Sequence, residues 1–242
     1  MIRISITACT ILLLLHLGQV HTRFPEMQPI PADGAAGSGT KSDGAPETSP
    51  MATFRDEQYR NAIRGLTYTT GFVELGTDAP EVLAQAQLNE DTDTFLARGA
   101  EQLGQNRVIE ALETYTLAVL SDPADARAYE GLGLSFGAKG KTENAIASFR
   151  SALRFDPTLT ETRYYLGVAL SMQGNLQEAV DTWQQLVELN STHAKAHERL
   201  AIALYYLHDY EGSWGHVHAA EALEHQVPPQ FRSLLEAQMS EP

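Results

Sequence analysis

Residues 135–142 read SFGAKGKT and end in the Gly-Lys-Thr triplet that closes a phosphate-binding loop. Such a loop cradles phosphates with backbone N–H groups, follows a strand and has glycine at its first position. Here Ser135 stands at that position, and residues 126–138 have the apolar spacing of a helix. Gly174 holds the place of Gly140 one period of 34 residues later, with no lysine after it. We therefore interpret Gly140 as part of a turn between helices rather than of a nucleotide site.

Histidines form the second group of residues with potential chemistry, since six of the eight lie in 193–225. These six are His193, His197, His208, His216, His218 and His225. His193 and His197 are four apart, which places two imidazoles on one helix face, where they can chelate a metal ion. However, His193 falls in a predicted turn, and no acid or cysteine completes a ligand set. We predict no metal and no cofactor, and keep a metal-binding or enzymatic role of these histidines as an alternative.

Composition narrows the function classes further. The only cysteine is Cys9, so the rest of the chain offers no disulfide, no thiolate metal site and no cysteine nucleophile. No paired-carboxylate or Ser-His-Asp arrangement stands in a supporting context. The net charge of −14 repels phosphate backbones, so nucleic acid is not an expected partner. These observations predict a protein that is not an enzyme.

The N-terminal segment has the features of a secretory signal. Residues 1–22 carry Arg3 and then an apolar run that is densest at 11–15, which is shorter than the ~20 residues of a membrane span. We predict export, to the periplasm or the exterior, with membrane contact only if this segment stays attached as an anchor. Residues 23–52 are rich in proline, glycine and serine, and predict a flexible linker. A translation start at Met51 is the alternative, and it would leave the protein in the cytoplasm.

Residues 53–91 are predicted to form an N-terminal helical cap. The apolar residues of 53–66 have helical spacing, and 81–88 read as a second, short helix. The residues between them are typical of turns.

A repeat of 34 residues occupies the rest of the chain. Its main columns are Gly99, Gly133, Gly167 and Ala201; Ala111, Ala145, Ala179 and Ser213; and Tyr115, Phe149, Trp183 and Val217. Small residues in two facing helices allow close approach, and the large side chain fills the space beside them. Each helical hairpin would leave one apolar face bare, which the next hairpin covers.

This pattern resembles the tetratricopeptide repeat family. The second copy carries the resemblance best, with Tyr129-x-x-Leu132-Gly133-x-x-Phe136, then Ala145-x-x-x-Phe149, then Pro157. The resemblance implies an all-α fold, a right-handed α-α superhelix of about four hairpins with capping helices at both ends. The implied repeats are 92–125, 126–159, 160–193 and 194–227, and 228–242 would form the C-terminal cap.

In this family the first helix of each hairpin usually lines a concave groove, which implies where a partner binds. The residues that this register places in the groove are Leu134, Tyr164, Val168, Met172, Ile202, Tyr205 and Tyr206. Exposed in this way, they suit a protein or peptide partner, either an amphipathic helix or an extended segment with basic flanks. The alternative is that some of them pack between hairpins as core. Glu130 and Leu134 also stand where some members hold a chaperone's terminal carboxylate with cations, so that ligand is not expected.

The sequence therefore predicts a non-enzymatic scaffold or adaptor that binds another protein in the cell envelope. Assembly of a secretion, pilus or maturation complex is the kind of task that the resemblance implies. A cytosolic adaptor that starts near Met51 is the alternative.

Overall fold

The computed structural model of the protein describes residues 50–69, 71–86 and 91–242. Within them the chain forms α1 Pro50–Ala62, β1 Leu66–Tyr68, β2 Val73–Leu75, α2 Ala79–Ala86, α3 Thr92–Gly104, α4 Val108–Ser121, α5 Ala126–Ala138, α6 Thr142–Phe155, α7 Thr160–Gln173, α8 Leu176–Leu189, α9 Ala194–Tyr206, α10 Tyr210–Ala222 and α11 Pro229–Glu236. The predicted signal, 1–22, and most of the predicted linker, 23–52, lie outside the described residues.

Helices α3 to α10 form four consecutive hairpins. Hairpin 1 is α3 and α4, hairpin 2 is α5 and α6, hairpin 3 is α7 and α8, and hairpin 4 is α9 and α10. Their first helices begin at Thr92, Ala126, Thr160 and Ala194, and the second helix of each hairpin packs against the first helix of the next. The expected all-α superhelix of four hairpins is confirmed.

The turn inside each hairpin repeats one backbone conformation. Asn106, Gly140, Gly174 and His208 have φ of 59°, 73°, 90° and 66°. This left-handed region is free for glycine and is open to asparagine and histidine at modest cost. Gly140 is therefore a turn residue. His208, one of the six clustered histidines, occupies the same turn position in hairpin 4.

The turns between hairpins are also built alike. The side chains of Asp122, Asp156 and Asn190 each accept a hydrogen bond from the backbone N–H two residues later, at 3.0, 2.9 and 3.2 Å. Such turns satisfy polar backbone groups locally. They end the second helix of each of the first three hairpins at the same point of the repeat.

Close packing inside a hairpin depends on its small residues. A Cβ added at Gly133 would come within 2.4 Å of the Phe149 ring, and one at Gly167 within 2.3 Å of Trp183 Nε1. Real side chains do not approach so closely, so glycine is required where the aromatic ring lies. Ser213 in hairpin 4 donates a hydrogen bond from its hydroxyl to the Ala201 carbonyl at 2.8 Å, which holds the least regular repeat together.

The N-terminal unit, made of α1, β1, β2 and α2, folds along the outside of hairpins 1 and 2. Helices α1 and α2 pack against α4, and β2 packs against α6. The Val73 N–H donates to the Ser151 hydroxyl at 2.8 Å, and Tyr68 meets Phe136 edge to face at 5.2 Å between ring centroids.

The unit differs from its prediction in three ways. Its first helix is Pro50–Ala62 rather than 53–66, and its second is Ala79–Ala86 rather than 81–88. Part of the predicted turn pairs as an antiparallel ribbon, with Thr67 opposite Glu74. Because the unit packs on the second helices of hairpins 1 and 2, it lies beside the repeats rather than in line with them.

Helix α11 covers the other end of the array. Its Phe231 and Leu235 are buried, and the Trp214 indole N–H donates to the Met239 carbonyl at 3.1 Å. Arg232 bridges Glu221 and Glu241, which fixes the last residues against α10. None of the helices in the described ranges combines the length and the hydropathy that crossing a membrane requires.

Candidate partner-binding groove

A narrow apolar cleft lies between hairpins 2 and 3, and its free volume is about 20 Å³, room for about one water molecule. We call it the groove pocket. Helices α5, α6 and α7 line it with Gly133, Leu134 and Gly137; with Thr142, Ala145 and Phe149; and with Tyr165, Val168, Ala169 and Met172, respectively. The structure thus brings together three of the predicted groove residues, Leu134, Val168 and Met172. Leu134 and Met172 are half-buried, so part of each side chain is available to a partner.

The pocket exists because several of its lining residues are small. Gly133 and Gly137 place no side chain on this face of α5, and Ala169 places only a methyl group on the facing side of α7. At the corresponding places between hairpins 3 and 4 the chain has Ser171 instead of Gly137 and Trp183 instead of Phe149.

Sequence reasoning missed Tyr165, Gly137 and Phe149 as pocket residues. Tyr165 is half-buried and stacks on Phe149 with ring centroids 6.2 Å apart, so it forms one wall of the pocket. The signal that was present is the pair of glycines four residues apart on α5, which share one helix face. A strip of that kind predicts a depression beside the aromatic column.

Tyr164 is core, contrary to the expectation that it lies exposed in a groove stripe. It is 3% exposed, stacks on His193 at 5.2 Å and accepts a long hydrogen bond of 3.4 Å from Arg199 Nε. His193 and Arg199 belong to the start of hairpin 4, which covers Tyr164. Val168 is also 7% exposed, so Met172 is the only half-exposed member of the expected stripe of three.

The predicted groove residues of hairpin 4 lie mostly under other side chains. Ile202 is 4% exposed and belongs to the C-terminal cluster around Trp214. Tyr205 and Tyr206 are half-buried, and Tyr205 meets Phe231 of α11 at 5.7 Å. The C-terminal helix therefore covers part of the groove surface that the sequence left open.

Glu130 provides a negative charge beside the groove pocket. It lies four residues before Leu134 on α5, so both side chains share a helix face. Burial raises the pKa of Glu130. The nearby Thr162 hydroxyl lowers this pKa in part, although it makes no hydrogen bond of standard geometry, and the negative charge of Glu161 raises it further. In the part of the chain that the structure describes, no lysine, arginine or histidine forms an ion pair with Glu130.

Three of the clustered histidines contact the backbone or each other, while His218 pairs with Glu241 and His225 with Glu198. His193 Nδ1 accepts the Ala196 N–H at 3.1 Å, which caps α9. His197 turns instead toward His216 of α10, with the two Nδ1 atoms 2.9 Å apart, and its Nε2 lies 3.1 Å from the Ser191 carbonyl. Because a carbonyl only accepts, His197 carries its proton on Nε2 and His216 donates from Nδ1.

The alternative in which His193 and His197 chelate a metal ion together is not supported by their geometry, since the two rings face different partners. Burial, followed by the proximity of His197, lowers the pKa of His216, which favours the neutral pair. Across the described ranges there is no group of three or more histidine, cysteine or acidic side chains placed to hold one metal ion.

Four helical hairpins in series, each covering the next, with a capping helix at one end, define an α-solenoid repeat protein. Two family models identify the repeat: a model described as TPR repeat matches residues 136–174, and one described as tetratricopeptide repeat matches residues 161–193. The chain contains tetratricopeptide repeats, as its residue columns indicate.

Solved structures share this fold at low sequence identity. A crystal structure of MamA matches with a TM-score of 0.56 and 21% identity, over 61% of this chain and 81% of that one. A second MamA structure, AMB-1, matches with a TM-score of 0.51 and 18% identity, over 75% and 98% of the two chains. A chain of the APC/C hetero-tetramer Cut9–Hcn1 matches with a TM-score of 0.51 and 20% identity, over 67% and 32%. A comparison with curated protein sequences finds no match.

Proposed function

We propose that this protein is a non-enzymatic scaffold that binds another protein through the groove pocket. The observation that carries the proposal is the open apolar cleft between hairpins 2 and 3, bounded by half-buried Leu134 and Met172. An apolar side chain of a partner laid over Leu134 and Met172 would cover this cleft and remove apolar surface from water. Tetratricopeptide repeats support such a role because their stacked hairpins present one continuous surface.

The test uses the full chain with Leu134→Gln and Met172→Gln combined. We expect the variant to remain folded by circular dichroism and to lose most capture of the partners that the parent protein retains from native cell extract, as measured by quantitative mass spectrometry. The matched control is Leu189→Gln, because Leu189 is 56% exposed on α8 and lies outside the pocket. Unchanged capture by the double variant would contradict the proposal.

The proposed place of action is the cell envelope, reached by export, where the scaffold would help to assemble a secretion, pilus or maturation complex. The signal-like composition of residues 1–22 supports this location. We expect mass spectrometry of the native protein to find a mature N-terminus after residue 22 and before Met51. Recovery of a chain that starts at Met51, in the cytoplasmic fraction, would contradict export and leave the binding proposal intact.

A further inference from the structure

We infer that the groove pocket binds a basic protein segment, which lays an apolar side chain over Leu134 and Met172 and places a lysine or arginine about 6 Å away at Glu130. The inference rests on the proposed function and adds the chemistry of the partner. Four residues separate Glu130 from Leu134, which at 1.5 Å per residue sets the spacing of about 6 Å along α5.

Among the described residues, no lysine, arginine or histidine forms an ion pair with Glu130. Arg127, the nearest arginine along α5, pairs with Asp93 at 2.8 Å and with Asp125 at 2.6 Å. Because Arg127 serves hairpin 1 and the helix start, it does not neutralise Glu130. Glu161 from α7, which lies 3.4 Å from His193 Nε2, raises the pKa of Glu130 through its negative charge.

The partly buried carboxylate of Glu130 destabilises the free protein. A partly buried carboxylate without a cation loses hydration and gains no ion pair in return. The raised pKa of Glu130 is the sign of that penalty, with burial as its largest cause. A cation brought by a partner would remove the penalty only in the complex, so it would contribute to binding rather than to folding.

The charge of Glu130 and the apolar groove pocket select a partner together. An apolar cleft alone does not select a partner by charge, whereas a carboxylate one helical turn away on the same face of α5 favours cationic segments and rejects acidic ones. The net charge of −14 acts in the same direction at longer range. A segment with an apolar side chain and a lysine or arginine at this spacing satisfies both features together.

The experiment uses three synthetic amphipathic 18-residue peptides with the same leucine face and with lysine, glutamine or glutamate on the other face. Binding to the full chain is measured by calorimetry and mapped by amide chemical shifts. We expect the lysine peptide to bind tightest, with shifts centred on residues 133–172. Glu130→Gln should weaken the lysine peptide about tenfold, the size of one charge-assisted contact, and leave the glutamine peptide unchanged.

Glu188→Gln is the matched control, because Glu188 is exposed on the last turn of α8 and its loss changes the net charge equally. Equal weakening by the two variants would show general attraction and overturn the inference. Equal affinity of the lysine and glutamine peptides for the parent protein would overturn it too. If Leu134→Gln with Met172→Gln still removes binding in that case, the proposed function stands; if it does not, both fail.

A stability readout separates this role from a structural one. Glu130→Gln should raise the melting temperature at neutral pH, because an acid whose folded pKa is raised destabilises the fold when ionised. A structural role predicts a lower melting temperature. Because the pKa of Glu130 is raised, the lysine preference should begin to fade on acidification while the pH is still above 4.5, the ordinary glutamate value. The titratable groups that face Glu130 are Glu161 and Tyr115.

Discussion

Replacing Trp183 with alanine is expected to lower the free energy of unfolding by about 3–5 kcal/mol. The indole is 1% exposed, lies against Gly167 and donates its N–H to the Tyr164 carbonyl at 3.1 Å. Truncation removes this apolar contact, leaves a cavity between α7 and α8, and leaves the carbonyl without its donor. Chemical denaturation followed by far-ultraviolet circular dichroism measures the loss.

The matched comparison is Met172→Ala, on the rim of the groove pocket. Met172 is half-buried and open to the pocket, so its truncation should cost clearly less than that of Trp183. Tyr164→Ser should resemble Trp183→Ala, because Tyr164 is 3% exposed. A small cost for Trp183→Ala would show that the aromatic column does not hold hairpin 3 together.

Ala179→Glu is the second substitution with a large expected effect, on the order of 3–5 kcal/mol. Ala179 has no exposed surface and faces the small residues of α7. A glutamate there would bury a charge without a partner and force α7 and α8 apart. We expect a large loss of the cooperative unfolding transition in thermal and chemical denaturation.

Gln184→Glu, on the same helix, introduces the same side chain and the same change of net charge at an exposed position. Its stability should stay within about 0.5 kcal/mol of the parent. Similar losses from both substitutions would mean that charge, rather than the packing of the alanine column, governs the stability of this hairpin.

The repeat register was predictable because it depends on residue size at fixed spacing. Gly133 with Phe149 and Gly167 with Trp183 are pairs that the sequence displays directly, and the structure packs each pair in contact. The left-handed turn position also recurs every 34 residues, but two of its four residues are Asn106 and His208 rather than glycine. Because only glycine strongly indicates a positive φ, the sequence does not reveal this column. Fold class therefore followed from patterns that recur.

The candidate site was only partly predictable, because exposure depends on neighbours outside one repeat. Tyr164 and Met172 lie on the same helix, yet hairpin 4 covers Tyr164 through His193 and Arg199 and leaves Met172 open. The negative charge of Glu130 can be read from the sequence. That Arg127, on the same helix, pairs with Asp93 instead of Glu130 can be learned only from the structure. The strand ribbon of the N-terminal unit escaped prediction because its strands have three residues each and no repeated pattern supports them.

The N-terminal unit also sets an order of assembly. In an array where each hairpin touches only its neighbours, folding proceeds through contacts that are near in sequence, and an end can unravel alone. The hydrogen bond between Val73 and Ser151 spans 78 residues, and its acceptor side exists only after hairpin 2 has formed. Closing so long a loop raises the contact order and makes docking of the unit a late and slow step. Once docked, the unit joins hairpins 1 and 2 into one block that we expect to open together, while hairpin 3 is held to that block through the packing of α6 against α7.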